Sequence, residues 1–233
     1  MPHDLLHHVP FHALYDGQRY VIDSHTVSYA PSAAIYRLCC QRQVATSGAS
    51  LILGVPDERA PFILDEVQAV ARLLPDPLLR IGNAATAAAL SELGSTSRII
   101  HIATHGWFRE DNPLFSGIRL GDSYLTLYDL YSLRLPAELV TVSGCGTGLN
   151  VVTAGDELGG LIRGLFSAGA RSLLVTLWDV HDRSTAEFVK SFYRNLGGGL
   201  NKALAVQNAM ATVREDYPHP YHWAPFMLVG AAG

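Results

Sequence analysis

Apolar positions in this chain fall into two patterns. Short unbroken apolar runs occur at 51–55, 98–103, 139–142, 172–177 and 226–229. Their length and continuity predict strands buried on both faces. Between them, apolar residues recur every third or fourth place, which predicts helices over 32–40, 64–74, 83–93, 127–133, 156–168, 184–196 and 200–213. Pro75 stops the second of these, Asn83 caps the third, Gly169 closes the fifth, and Gly197-Gly198-Gly199 turns the chain between the last two. Residues 1–16 read as irregular and 20–29 as an extended hairpin or edge pair. Strands alternating with helices predict an α/β fold: a mostly parallel central sheet with helices on both faces.

Composition narrows the class. The 233 residues suffice for one substantial domain, and no internal repeat or low-complexity linker divides them. A net charge of −4 with no basic stripe argues against nucleic acid as a partner. Three cysteines (Cys39, Cys40 and Cys145), two of them adjacent, make no disulfide framework and fit a reducing compartment. The start, Met1-Pro2-His3-Asp4, has no basic and apolar leader, and no apolar run reaches membrane length. The expectation is a soluble, cytoplasmic protein without a membrane contact.

Candidate chemistry sits where strands end, because sites in open α/β sheets gather at the carboxyl ends of the strands. The run at 98–103 is followed by Thr104-His105-Gly106, that at 139–142 by Ser143-Gly144-Cys145-Gly146, and that at 172–177 by Trp178-Asp179-Val180-His181-Asp182. If the first two strands are neighbours, an imidazole and a thiol meet at one sheet edge. A free thiol is only a few per cent ionised at neutral pH, and an adjacent imidazole can take its proton or protonate a leaving amine. The amides of Gly106 and Cys145 could then hold the oxyanion of a tetrahedral intermediate. Cys145 could instead be a packed core residue or part of a phosphate-binding turn.

The motifs "VSYAPSA" (27–33), "IHIATHGWF" (100–108), "NPLFSGIRL" (112–120), "VSGCGTGLN" (142–150), "GDELGGLIRGLFSAGARSLLVTLWDVHD" (155–182) and "HPYHWAPFMLVG" (219–230) stand in one order over nearly the whole chain. In these motifs the chain resembles the CHAT domain family, caspase-like cysteine proteases of the caspase–separase–gingipain group. The resemblance implies a caspase-like three-layer α/β/α sandwich. It implies a dyad of His105 and Cys145, oxyanion donors at the amides of Gly106 and Cys145, a protein or peptide substrate, and no metal or organic cofactor. It also suggests a separate helical-repeat or sensor protein as a partner. Gly144 and Gly146 depart from the alanine and the acidic or amide residue the family carries there. The expected domain is 1–233, lacking the family's first strand.

Competing readings are a catalytically inactive interaction module of the same fold, and a nucleotide-binding domain with Asp179 at the ribose. The glycines of Ser143–Gly148 fit a dinucleotide fingerprint only in part, and a Walker loop would need a lysine. His101 and His105 have the four-residue spacing of some zinc pairs but lie on a strand and its loop, so no metal is expected and His101 reads as a core residue. Asp156, Asp179 and Asp182, with Trp178, are candidates for the substrate pocket, where an acid would select Arg or Lys. Asp156 and Asp182 are equally candidates for helix caps. His3, His7, His8 and His12 read as a solvated segment.

Overall fold

The computed structural model describes residues 1–2, 4–45, 48–107, 117–144 and 160–233. The strands among them are β1 (Ser50–Gly54), β2 (Pro77–Ile81), β3 (Ile99–Ala103), β4 (Gly106–Trp107), β5 (Gly117–Arg119), β6 (Tyr124–Thr126), β7 (Leu139–Val142), β8 (Ser172–Thr176) and β9 (Phe226–Gly230). Six of them form the central sheet in the order β2-β1-β3-β7-β8-β9, all parallel except that β9 runs antiparallel to β8. The short strands β4, β5 and β6 form a separate antiparallel sheet directly after β3.

Alternation along each strand sends side chains to two cores. Leu51, Leu53, Ile100, Ile102, Val140 and Val142 face one layer, built from α1 (Ala33–Gln41), α3 (Ala87–Gly94), α4 (Leu127–Leu130) and α5 (Leu161–Ala168). Ile52, Ala103, Leu139 and Leu174 face the other, built from α2 (Phe62–Leu73), α6 (Asp182–Gly197), α7 (Lys202–Asp216) and α8 (Pro220–Trp223). The three-layer α/β/α arrangement expected from the continuous apolar runs is therefore present. Gly164 lets α5 pack closely on α4, since a Cβ there would stand 2.7 Å from Leu127 Cδ1. Gly169 ends α5 in the left-handed region at φ +119°, the role its position after an apolar helix implied. Among the described residues no helix is long and apolar enough to cross a membrane.

Several expectations need correction. Residues 20–29 are not an extended pair. Val21–Asp23 is a 3₁₀ turn, closed where the Tyr20 amide donates to Asp23 Oδ2 at 2.8 Å, and only Tyr29 bridges to Val229 of the sheet. A local side-chain acceptor outcompeted the ladder. The helix expected at 83–93 begins only at Ala87, because Thr86 caps it by accepting the Ala89 amide, while Asn83 lies in a preceding 3₁₀ turn. Strand β2 was not anticipated; it is an edge strand that is largely half-exposed and lacks an unbroken apolar run. His12 is not solvated but 1% exposed, with Nδ1 2.9 Å from the Tyr29 hydroxyl and Nε2 2.9 Å from the Ala224 carbonyl. Burial outweighs the hydrogen bond to the Ala224 carbonyl and lowers its pKa to about 4, so it is held neutral.

Candidate active site

The carboxyl rim of the central sheet gathers the candidate chemistry. Strands β3 and β7 are hydrogen-bonded neighbours, with Ile102 paired to Val142. His105 therefore stands three positions beyond one member of the pair, and Cys145 three positions beyond the other along the sequence. Cys145 and Asp156 themselves lie outside the described residues.

His105 is anchored from the small sheet. Its carbonyl accepts the Arg119 amide at 2.9 Å, and the neighbouring Thr104 hydroxyl donates to the Arg119 carbonyl at 2.7 Å. Gly106 follows as the first residue of β4, in register with Ile118. The imidazole contacts a residue that sequence reasoning missed: Nε2 lies 3.2 Å from Asp57 Oδ1, on the turn after β1. That turn is organised by Asp57 itself, whose Oδ1 accepts the amides of Arg59 at 2.9 Å and Ala60 at 3.2 Å. Its other oxygen accepts Arg119 Nη1 at 2.8 Å. Partial burial opposes ionisation of Asp57, but these amides and the imidazole outweigh it and hold the carboxyl below its ordinary pKa. A carboxylate on Nε2 fixes that nitrogen as the protonated one and leaves Nδ1 as the basic nitrogen.

The imidazole stands between two clefts. One, of about 440 Å³, is lined by His105, Ser143 and Gly144 on the rim, by Glu66 and Asp182 below, and by Tyr221 opposite. The other, of about 510 Å³, is lined by Asp57, His105, Gly106, Arg119 and Tyr124. Tyr221 reaches the first cleft because β9 is antiparallel, so the segment leading into it, rather than out of it, meets the rim.

Asp182 does not cap its own helix as expected. His181 is the N-cap of α6 and accepts the Ser184 amide, while Asp182 reaches across to accept the Phe62 amide of α2 at 2.8 Å. Burial and the nearby Glu66 raise its pKa, against the Phe62 hydrogen bond and the attraction of His105 and His181. Asp179 is exposed and does not line either cleft. Trp178 does not line them either; its indole N–H donates to the Tyr221 carbonyl at 3.1 Å and so braces a wall residue. His101 is a fully buried core residue, as its position on a strand implied.

A CHAT domain family model matches residues 1–231. Human tetratricopeptide repeat protein 28 is 36% identical over 114 residues, 48% of this chain and 5% of that protein. The crystal structure of the Arg-specific cysteine proteinase gingipain R superposes with a TM-score of 0.65 at 12% identity, over 82% of this chain and 49% of that one. The Saccharomyces cerevisiae separase in its complex with securin gives 0.70 at 16% identity, over 97% of this chain and 15% of that one. The chain thus spans about half or less of each of these relatives, and at such identities the two structures speak for the fold, which is caspase-like.

Proposed function

Starting from the finding that the chain belongs to the CHAT domain family and has the caspase-like fold, we propose that it is a cysteine endopeptidase. In this reading Cys145 attacks the scissile carbonyl and His105 moves the proton. The Nδ1 of His105 takes the thiol proton, and the resulting imidazolium then protonates the leaving amine. The amides of Gly106 and Cys145 hold the oxyanion. Asp57 is a positioning residue that fixes the tautomer of His105. Water hydrolyses the thioester in a second step that returns the enzyme. The substrate is a protein or peptide, and no cofactor enters these steps.

The observation that carries the reading is the register of β3 and β7. Two neighbouring parallel strands bring their carboxyl ends to one edge, and the residues three beyond a paired position are a histidine and a cysteine. The clefts on either side of His105 support it, since a peptide cleaved at its middle needs room on both sides. Asp182 is the candidate selector of the residue before the scissile bond. It places an acid at the 440 Å³ cleft, which favours an Arg or Lys side chain. Asp156 remains a further candidate for this pocket, whereas the exposure of Asp179 argues against it.

A peptide library incubated with the protein and with Cys145→Ala tests the proposal. Cleavage by the first and none by the second is expected. Equal products from both would remove the nucleophile. A second reading, an interaction module without turnover, is favoured by the relative named for its tetratricopeptide repeats rather than for a peptidase activity. It predicts no cleavage by either protein.

A further inference from the structure

Beneath the rim runs a chain of buried polar side chains that the proposed chemistry does not use. Ser143 Oγ donates to Glu66 Oε1 of α2. His101 Nε2 of β3 stands 3.0 Å from the same oxygen, off the N–H direction, as a close contact rather than an aligned hydrogen bond. Its Nδ1 lies 3.3 Å from the Tyr193 hydroxyl of α6, which donates to Thr141 Oγ1 of β7 at 2.8 Å. Glu66 is 1% exposed and His101 fully buried. Burying a carboxylate is costly unless its oxygens are well partnered, and an apolar residue here would pack against the same neighbours at less cost. The position of the acid is informative: one end of the chain is Ser143, two residues before Cys145.

Hydrogen bonds to β3, β8 and α2 hold Ser143 and Gly144. The Ser143 amide donates to the Ile102 carbonyl at 3.0 Å, tying it to the histidine-bearing strand. The Gly144 carbonyl accepts the Thr176 hydroxyl of β8 at 2.7 Å. The Ser143 side chain is held by Glu66. Gly144, with no side chain of its own, contributes nothing to its placement beyond its backbone. The two backbone anchors tie this strand end to β3 and β8, and the Glu66 contact adds a side-chain anchor from α2.

We propose that Glu66 is a positioning residue which, through the Ser143 hydroxyl, sets the orientation of the strand end at Ser143 and Gly144, from which the chain continues to Cys145. The proposal rests on the protease reading only for the role given to residue 145. Two measurements separate the two. Hydrogen exchange of the amides at 143 and 144 reports this strand end whether or not the protein is an enzyme, and the rate of iodoacetamide alkylation at Cys145, with the exposed Cys40 as internal reference, reports thiol activation.

Ser143→Ala removes one hydroxyl, and because the buried Glu66 oxygen loses that donor the variant's thermal stability is measured alongside. It is expected to lower exchange protection at 143–144 at least tenfold and to slow Cys145 alkylation about tenfold, with Cys40 unchanged. Glu66→Ala should do the same. Glu66→Gln keeps a carbonyl acceptor for the hydroxyl and should restore both readouts to within about threefold of the parent. Tyr193→Phe, at the far end of the chain of polar groups, should lower thermal stability and leave both unchanged. A purely structural role would instead make Tyr193→Phe and Ser143→Ala alike. Unchanged exchange protection in Ser143→Ala and Glu66→Ala would overturn the proposal. Lost protection alongside a parent Cys145 no more reactive than Cys40 would uphold the positioning role and sink the dyad instead.

Discussion

Exchanging Asp57 for asparagine isolates what the carboxylate does for His105. Oδ1 faces the imidazole and also accepts the Arg59 and Ala60 amides, so those two donors keep an oxygen, not an NH₂ group, at that position in the amide. The tautomer of His105 is therefore retained; the change removes one charge from beside it and puts an NH₂ group where Arg119 had its acceptor, from which the 42% exposed Arg119 side chain is free to swing into solvent. At the 3.2 Å contact the lost attraction for an imidazolium is about 1.3 kcal/mol at the dielectric of water and about 5 kcal/mol at an effective value of 20. Both side chains are 24% exposed and Arg119 already shares the carboxylate, which favours the lower half of that range. A loss of about 2 kcal/mol corresponds to about thirtyfold in kcat/KM. The assay is hydrolysis of a fluorogenic peptide drawn from the cleaved library, with active sites titrated by an electrophilic peptide and thermal stability measured alongside. The fall should be in kcat, because the imidazolium forms only as the thiol attacks. A change below twofold, or a loss confined to KM, would refute the argument that Asp57 acts through His105.

Asp182→Ala should abolish any preference for Arg or Lys before the scissile bond while cleavage after small neutral residues persists; a library profile unchanged by the substitution would exclude Asp182 from that pocket. His12, with its pKa near 4 in the folded protein against 6.5 unfolded, takes up its proton later than the unfolded chain does. Its contribution is thus present above pH 6.5 and lost as pH falls toward 4, about 3 kcal/mol in all. Denaturation midpoints of the parent and His12→Gln over pH 4–7 should diverge in slope; parallel curves would contradict the burial argument.

Where the sequence was readable, the reason was local. The strands at the middle of the sheet are buried on both faces, and unbroken apolar runs such as Leu139-Val140-Thr141-Val142 announce that burial directly. His105 was legible because a strand end followed by glycine is a recurrent site position. Asp57 was not legible: within Pro56-Asp57-Glu58-Arg59 it is one polar residue among several on a turn, and only the pairing of β1 with β3 brings it to His105. Glu66 was hidden in the same way, as a charged residue inside an otherwise amphipathic helix whose polar side is usually solvated. His12 looked solvated because it falls in an irregular, histidine-rich first segment, while its partners lie 17 and 212 residues away. The rim was readable one strand at a time; its cross-links were not, because they join segments far apart in the chain.

Tyr29 gives its amide to the Leu228 carbonyl and its own carbonyl to the Gly230 amide, both at 2.8 Å, and its hydroxyl meets His12. One residue thereby occupies two of the hydrogen-bonding groups on the outer flank of β9, groups of the kind by which an open edge recruits a further strand. The amino-terminal segment thus covers part of that edge as well as packing against the core. Removing Tyr29 would leave those two groups open before it touched the ladder between β8 and β9.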